Sequence, residues 1–197
     1  MDSDNTDGFD RLSIQDGFSR AYTPRVMMAW VTDVPNFNGR TTPLAFRFLV
    51  AMTGSLGIGA NLNKWSDADL DAAAKMVAFY KTVRSTVQDG DLYRLAPIGQ
   101  PQAGVKEYVA ADGRQAVVFA FLQSQQHGRP QPAVALRGLD PRAVYRVRTP
   151  VGTLVEHLEV VSGAYLLAHG LRFDLKADFD AGVVVLDRVE DGASLGG

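Results

Sequence analysis

The 197-residue chain contains no cysteine and only three histidines. The absence of cysteine excludes disulfides and thiolate metal sites, and it fits a reducing compartment. The three histidines are too far apart in the second half of the chain for their spacing to predict a metal site: His127, His157 and His169. The sequence therefore predicts no metal centre.

The chain also lacks any strong excess of charge, because 20 lysines and arginines face 22 aspartates and glutamates. This balance favours neither nucleic acid nor an anionic membrane as a partner. No apolar run approaches the roughly 20 residues that a membrane-spanning helix needs. No basic and apolar leader segment precedes the first motif. Together these features predict a cytoplasmic protein that binds neither nucleic acid nor membrane.

Residues 1–90 alternate between short apolar runs and helical patterns. Residues 26–31 form an unbroken apolar run, as expected of a parallel strand buried on both faces, and residues 55–62 suggest a second short strand. Two helices are predicted, each behind a capping hydroxyl: about 42–53 behind Thr42 and about 66–88 behind Ser66. Alternating strands and helices are typical of βα units, so we assign residues 1–90 to the α/β class.

The pattern changes near Gly90. Asp112-Gly113 is a hairpin turn pair between two strand-like runs. Further short β-type runs follow, separated by glycine, proline and aspartate: 133–137, 144–148, 154–156, 171–175 and 183–188. We predict that residues 91–197 form an antiparallel β-sandwich and that the domain boundary lies near Asp89.

The first motif of the chain is Ser3-Asp4-Asn5-Thr6-Asp7. Its residue types alone indicate the start of a helix. Asp7 can cap the helix with its side-chain oxygen, and Asp10 falls in the first turn, where negative charge suits the helix dipole. This interpretation accounts for the acidic residues without any catalytic role.

The order and spacing of several motifs support a second interpretation. The chain resembles the C-terminal third of the α-galactosidases of glycoside hydrolase family 36, whose barrel motif S-D-N-T-D is followed by R-x-x-I-Q, Y-P and V-S-D-V-P-N-H. The matching segments begin with Ser3–Asp7 and continue nearly to the end of the chain: Arg11, Ile14-Gln15, Tyr22–Pro24, Val31–Asn36, Gly39–Leu44, Gly57-Ile58, Phe79–Lys81, Gly90–Leu95 and Ser162–Leu166. Phe37 departs from the family, which usually has histidine after the loop asparagine.

The resemblance implies a fold. Members of the family have a (β/α)₈ TIM barrel followed by a β-sandwich. Residues 1–90 would supply roughly the last three βα units of the barrel, and residues 91–197 the whole sandwich. In the family a strand with a tryptophan precedes the S-D-N-T-D motif, whereas here Met1-Asp2 leads directly into it. We therefore expect the chain to be a fragment of a larger enzyme.

The resemblance also implies a catalytic residue, because the first aspartate of the motif, Asp4 here, is the family's general acid/base. A retaining glycosidase needs a carboxylic acid that protonates the leaving oxygen and later deprotonates the incoming water. The family's nucleophile is an aspartate in a K-W-D or K-x-D motif on an earlier strand. Asn63-Lys64-Trp65-Ser66 resembles that motif, but Ser66 replaces the aspartate at a predicted helix start. We interpret it as a false match, and we assign no substrate-binding residue.

Two functional hypotheses follow. In the first, the chain belongs to a hydrolase of terminal α-galactosyl residues, as in melibiose and raffinose-type sugars, that works without metal or cofactor and is homo-oligomeric. The chain alone should be inactive, since the nucleophile is missing. In the second, the β-sandwich is a non-catalytic structural or carbohydrate-binding module. Trp30 and Asp33 could line the barrel mouth, or they could serve as core packing and as a loop cap.

Overall fold

The computed structural model describes residues 3–99 and 102–190. Its regular elements, in chain order, are α1 (Gly8–Phe18), β1 (Met28–Val31), α2 (Leu44–Met52), β2 (Ser55–Ile58), α3 (Asp67–Asp89), β3 (Asp91–Ala96), β4 (Gly104–Val109), β5 (Gln115–Leu122), β6 (Val144–Val151), β7 (Val160–Ser162), α4 (Gly163–Ala168) and β8 (Asp180–Arg188). Two short 3₁₀ helices precede β1 and α3: Pro24–Val26 and Leu62–Lys64.

Residues 3–90 form an α/β unit, as predicted. β1 and β2 pair in parallel, with Met28 opposite Ser55 and Val31 opposite Ile58. α2 connects the two strands, and α3 follows β2. Two details differ from the sequence-based prediction. The apolar run begins as a 3₁₀ turn, and β1 exposes Met28, so the strand is not buried on both faces.

The two predicted helices of this unit are confirmed to within two residues at each end. Ser66 caps α3, since its hydroxyl oxygen accepts a hydrogen bond from the Asp69 backbone N–H at 3.2 Å. Thr42 does not cap α2. That helix begins at Leu44 after Pro43 with no side-chain cap, and the Thr42 carbonyl accepts a hydrogen bond from Arg47 instead.

The second half contains one antiparallel sheet of six strands in the order β3-β4-β5-β8-β6-β7. β4 and β5 form the hairpin predicted at Asp112-Gly113, where Gly113 has a φ of 67°. A left-handed backbone of this kind favours glycine. β8 comes late in the chain but lies in the middle of the sheet, between β5 and β6.

The sandwich prediction needs a correction for the second layer. Three of the strand-like runs form no regular second sheet among the described residues: 133–137, 154–156 and 171–175. Only two isolated bridges join these runs to one another, Val134 with Leu171 and Leu154 with Phe173. These extended segments still cover one face of the six-stranded sheet. The runs are apolar enough to pack, but loops and turns interrupt their pairing.

Apolar side chains cover both faces of the six-stranded sheet. Alternate residues of a strand point to opposite faces, and β5 shows this directly. Its Val117, Phe119 and Phe121 join a core with α2 and α3. The residues between them join a second core with the extended segments. The α/β unit and the sheet therefore share one hydrophobic core. Among the described residues, no helix is long and apolar enough to cross a membrane.

Candidate active site

The Ser3–Asp7 loop folds around hydrogen bonds within the motif. The Asn5 N–H donates to Ser3 Oγ at 3.0 Å, and the Asp7 N–H donates to Asn5 Oδ1 at 2.9 Å. Asp7 is buried and caps α1, because its Oδ1 accepts from the backbone N–H groups of Phe9 and Asp10 at 3.1 and 3.0 Å. The predicted helix cap is thus confirmed, and it coexists with an ordered loop in front of the helix.

Asp4 differs from the two other carboxylates of this segment. It is exposed, and its carboxylate takes part in none of the hydrogen bonds and ion pairs found between the described residues. Asp10 accepts hydrogen bonds from Asn5 Nδ2 at 2.9 Å and from Arg40 Nη1 at 3.2 Å. Asp7 accepts the hydrogen bonds of the helix cap and one from Arg40. Within residues 3–10, Asp4 is therefore the carboxylate that is free to meet a ligand.

Arg11 of α1 fastens the loop to β1. Its guanidinium is fully buried and donates to the carbonyl oxygens of Ser3 (3.3 Å), Asn5 (3.4 Å) and Met28. Gln15, one helical turn further, accepts from Arg11 Nε at 3.1 Å and donates to Val50 O at the end of α2. In the sequence, Arg11 and Gln15 stand out only as matches to the family motif R-x-x-I-Q. A usable signal was their spacing of four, which places both polar side chains on one helix face.

The loop runs beside β1 toward its carboxyl end. Near the start of β1, Arg11 binds the carbonyls of both Ser3 and Met28. After its end, the Thr32 hydroxyl donates to Thr6 O at 3.0 Å. Residues 3–6 therefore extend alongside β1 in the same direction. This arrangement brings the end of the motif, at Thr6, to the carboxyl edge of the parallel strands, where ligands of parallel α/β folds bind.

The segment after β1 holds the loop from the other side. Asn36 Nδ2 donates to Thr6 Oγ1 at 3.3 Å and to Thr32 Oγ1 at 3.2 Å. Arg40 forms ion pairs with Asp7 and Asp10, and its guanidinium carbon lies 4.4 Å from the centre of the Phe9 ring. The loop that carries Asp4 is thus held at several points by residues distant in sequence.

Asp33, which follows β1, accepts hydrogen bonds from the segment that follows β2. Its two oxygens accept the Asn61 N–H at 2.8 Å and Trp65 Nε1 at 2.9 Å. These hydrogen bonds, the one from Asn61 first, lower the pKa of the Asp33 carboxyl. Asp33 also lines a cavity of about 340 Å³ with Arg47, Lys64 and Trp65 among its other walls. The loop-cap interpretation of Asp33 is therefore confirmed, whereas its place in the lining of a barrel mouth stays a prediction.

The surroundings of Trp30 and of the segment Lys64-Trp65-Ser66 are explained by packing and by helix ends. Trp30 packs against Gly57, where an added Cβ would lie 2.9 Å from its ring. Lys64 ends a 3₁₀ helix, and Ser66 caps α3. Both positions agree with the interpretation that this segment only resembles the K-W-D motif and lies at a helix start. No group of three or more metal-ligating side chains occurs in residues 3–99 and 102–190.

The family comparisons agree with this geometry. A family model described as melibiase matches residues 1–90, and one described as the C-terminal domain of glycosyl hydrolase family 36 matches residues 105–186. The chain therefore belongs to glycoside hydrolase family 36.

Individual relatives extend the comparison. A probable α-galactosidase C of Aspergillus terreus is 38% identical over 189 residues, which are 95% of this chain and 24% of that protein. The crystal structure of α-galactosidase AgaB from Geobacillus stearothermophilus superposes with a TM-score of 0.86 at 34% identity, over 95% of this chain and 25% of that one. A variant of AgaA from the same organism, crystallised with raffinose, gives a TM-score of 0.85 at 32% identity, with the same coverage. The chain thus spans about a quarter of the length of the relatives it matches.

Proposed function

We propose that this chain is part of a retaining α-galactosidase and that Asp4 is its general acid/base. The observation that carries the proposal is the placement of Asp4. It is an exposed carboxylate on an ordered loop that leads to the carboxyl edge of the parallel strands, in a chain whose relatives are named α-galactosidases. The substrates would be terminal α-galactosides of the raffinose type, since an AgaA variant was crystallised with raffinose.

The architecture supports a barrel origin for residues 1–90. β1 and β2 are parallel neighbours, residues 3–6 extend beside β1 in the same direction, and a helix follows each of the three segments. This is the repeat of a (β/α)₈ barrel, and three such units would lie next to one another in its wall. Residues 91–197 would be the C-terminal β-sandwich domain, with the six-stranded sheet as one layer and the extended segments that cover one of its faces as an irregular second layer. The homo-oligomeric state and the cytoplasmic location stay predictions.

Asp4 would work at the oxygen of the scissile bond. In the first step its carboxylic acid protonates the leaving oxygen, and in the second its carboxylate takes a proton from the attacking water. A retaining enzyme also needs a nucleophilic carboxylate, about 5–5.5 Å from the acid. Asp7 and Asp10 are held by Arg40, so neither is available for attack. The nucleophile would come from the K-W-D motif of an earlier barrel strand.

A chimera tests the activity. The 197-residue chain alone should release no more aryl aglycone from an aryl α-galactoside than buffer does. AgaB with its C-terminal quarter replaced by this chain should hydrolyse the same substrate. An inactive but folded chimera, with near-ultraviolet circular dichroism like that of AgaB, would contradict the proposal.

Asp4→Asn in the chimera tests the site. Loss of general acid catalysis should lower the rate on raffinose roughly 10²- to 10⁴-fold. The loss should be much smaller on an aryl galactoside whose leaving group needs no proton. Asp10→Asn is the matched control, because the Asp10 carboxylate pairs with Asn5 and Arg40 and thereby holds the loop. Its effect should be equal on the two substrates. Equal effects for Asp4→Asn would show that Asp4 is not the acid.

A further inference from the structure

Phe37 is the most exposed large apolar side chain in the described residues, with 75% of its surface open to solvent. Its backbone is nevertheless well held. The Phe37 N–H donates to Asn36 Oδ1 at 2.9 Å. The turn around it is closed by two hydrogen bonds, from the Asn36 N–H to Arg40 O and from the Gly39 N–H to Asn36 O, both 2.8 Å. An exposed ring on a fixed turn is available for a ligand at a small cost in conformational entropy.

The turn lies against the loop that carries Asp4. On one side of Phe37, Asn36 binds Thr6, two residues after Asp4. On the other side, Arg40 binds Asp7, three residues after Asp4. Residues 36–40, which follow the end of β1, are therefore fixed to the Ser3–Asp7 loop at two points.

The chemistry of general acid catalysis indicates what the ring would contact. The acid protonates the oxygen of the departing group, so the residues around it face that group rather than the galactose pocket. A sugar ring presents C–H groups on one face, and an aromatic face packs well against such an apolar surface. The exposed amide of Asn38 lies next to Phe37 and can bond to hydroxyl groups.

We propose that Phe37 is a platform for the sugar attached to galactose and thereby favours oligosaccharides over small galactosides. This inference rests on the proposed function, since it places Phe37 on the leaving-group side of Asp4. The residue contacts substrate without moving a proton, so it sets specificity rather than chemistry.

The test compares two substrates in the chimera defined above. Raffinose has a sugar for the platform to contact, and methyl α-galactoside does not. Phe37→Ala should lower kcat/KM for raffinose about three- to ten-fold, mainly through KM, and leave methyl α-galactoside unchanged. Phe37→Tyr should restore the raffinose value. Phe37→Leu is the matched control, because it keeps apolar area without a flat ring and should remain impaired. Equal losses on both substrates, or full activity of Phe37→Leu, would overturn the inference.

A binding measurement separates this inference from the proposed function. Sucrose is the part of raffinose that leaves, and it should perturb the backbone amide resonances of Phe37 and Asn38 in the 197-residue chain. Galactose should not perturb them, and Phe37→Ala should abolish the sucrose effect. If the chimera hydrolyses neither substrate, the proposed function is wrong. The sucrose measurement still shows whether Phe37 binds the sugar attached to galactose. If sucrose leaves these resonances unchanged, the platform is wrong whatever the enzyme does.

Discussion

Lys106 and Glu107, adjacent residues of β4, bury charge on opposite faces of the sheet. Lys106 lies 3.2 Å from Asp16 of α1, and burial lowers the pKa of its ammonium group to about 8. Glu107 has no such partner. Its Oε2 accepts the Arg137 N–H at 2.6 Å, while its Oε1 bonds to no group in the described structure. Burial raises the pKa of the Glu107 carboxyl to about 7.

This shift predicts a pH dependence of stability. Below about pH 4.5 Glu107 is protonated in both the folded and the unfolded chain. Between pH 4.5 and 7 only the unfolded chain releases the proton, so the free energy of unfolding should fall as pH rises. Glu107→Gln should remove this loss and be more stable than wild type by roughly 3 kcal/mol at pH 7.5. At pH 4 the two proteins should be equal. Urea denaturation at both pH values measures the difference, and a constant difference would contradict it.

Gly90 ends α3 where no side chain fits. A Cβ at this position would lie 2.4 Å from the carbonyl oxygens of Thr86 and Val109. Both atoms belong to backbone that cannot move freely, so we expect Gly90→Ala to destabilise the chain by about 2 kcal/mol or more. Gly17→Ala is the control, since nothing lies within 4 Å of that position in α1. It should stabilise by up to about 1 kcal/mol. Thermal unfolding of both variants measures these effects, and equal midpoints would count against the argument.

At the scale of elements, Arg40 joins the segment after β1 to the start of α1. It is partly buried, and Asp7 beneath it is almost fully buried. Arg40→Ala should therefore destabilise the chain by roughly 1–3 kcal/mol, because the Asp7 carboxylate loses its counter-charge. Arg20→Ala provides the comparison. Arg20 is exposed, and its partner Asp16 keeps Lys106 and Arg94, so the change should stay within about 0.5 kcal/mol. Chemical denaturation that shows equal losses would refute this difference.

The elements that the sequence predicted well are those set by local chemistry. The cap at Asp7, the long helix after Ser66 and the hairpin at Asp112-Gly113 each depend on residues close in the chain. Thr42 failed as a cap although its residue type suited that position, since the helix starts later.

Contacts distant in sequence were the part that could not be predicted. Arg11 reaches Met28, and Arg47 donates to the carbonyls of Thr32 and Thr42. Neither role follows from hydrophobic periodicity, which marks Arg47 only as a polar interruption of an apolar helix. Asp4 was identified by motif resemblance alone, whereas the network that holds its loop required the three-dimensional structure.

At the scale of the whole molecule, the parallel pair leaves apolar surface open. β2 pairs only with β1 among the described residues, and Val26 is 58% exposed beside Met28 at 43%. We expect the isolated chain to self-associate through this side. Val26→Lys should lower the association measured by sedimentation, whereas Val155→Lys, at a 50% exposed position in the other half, should not. A stable wild-type monomer at micromolar concentration would contradict this expectation.

The central position of β8 has a consequence for the order of synthesis. A ribosome produces Asp180–Arg188 after the other regular elements of the described residues, yet this strand must enter between β5 and β6, where it hydrogen-bonds to both. Its Val183 and Val185 also complete the core beneath α2 and α3. The nascent chain therefore carries a gap in the middle of this sheet until β8 emerges. Folding from the N-terminus, common during translation, cannot complete the sheet before then, so the facing edges of β5 and β6 stay unpaired and open to other chains in the meantime.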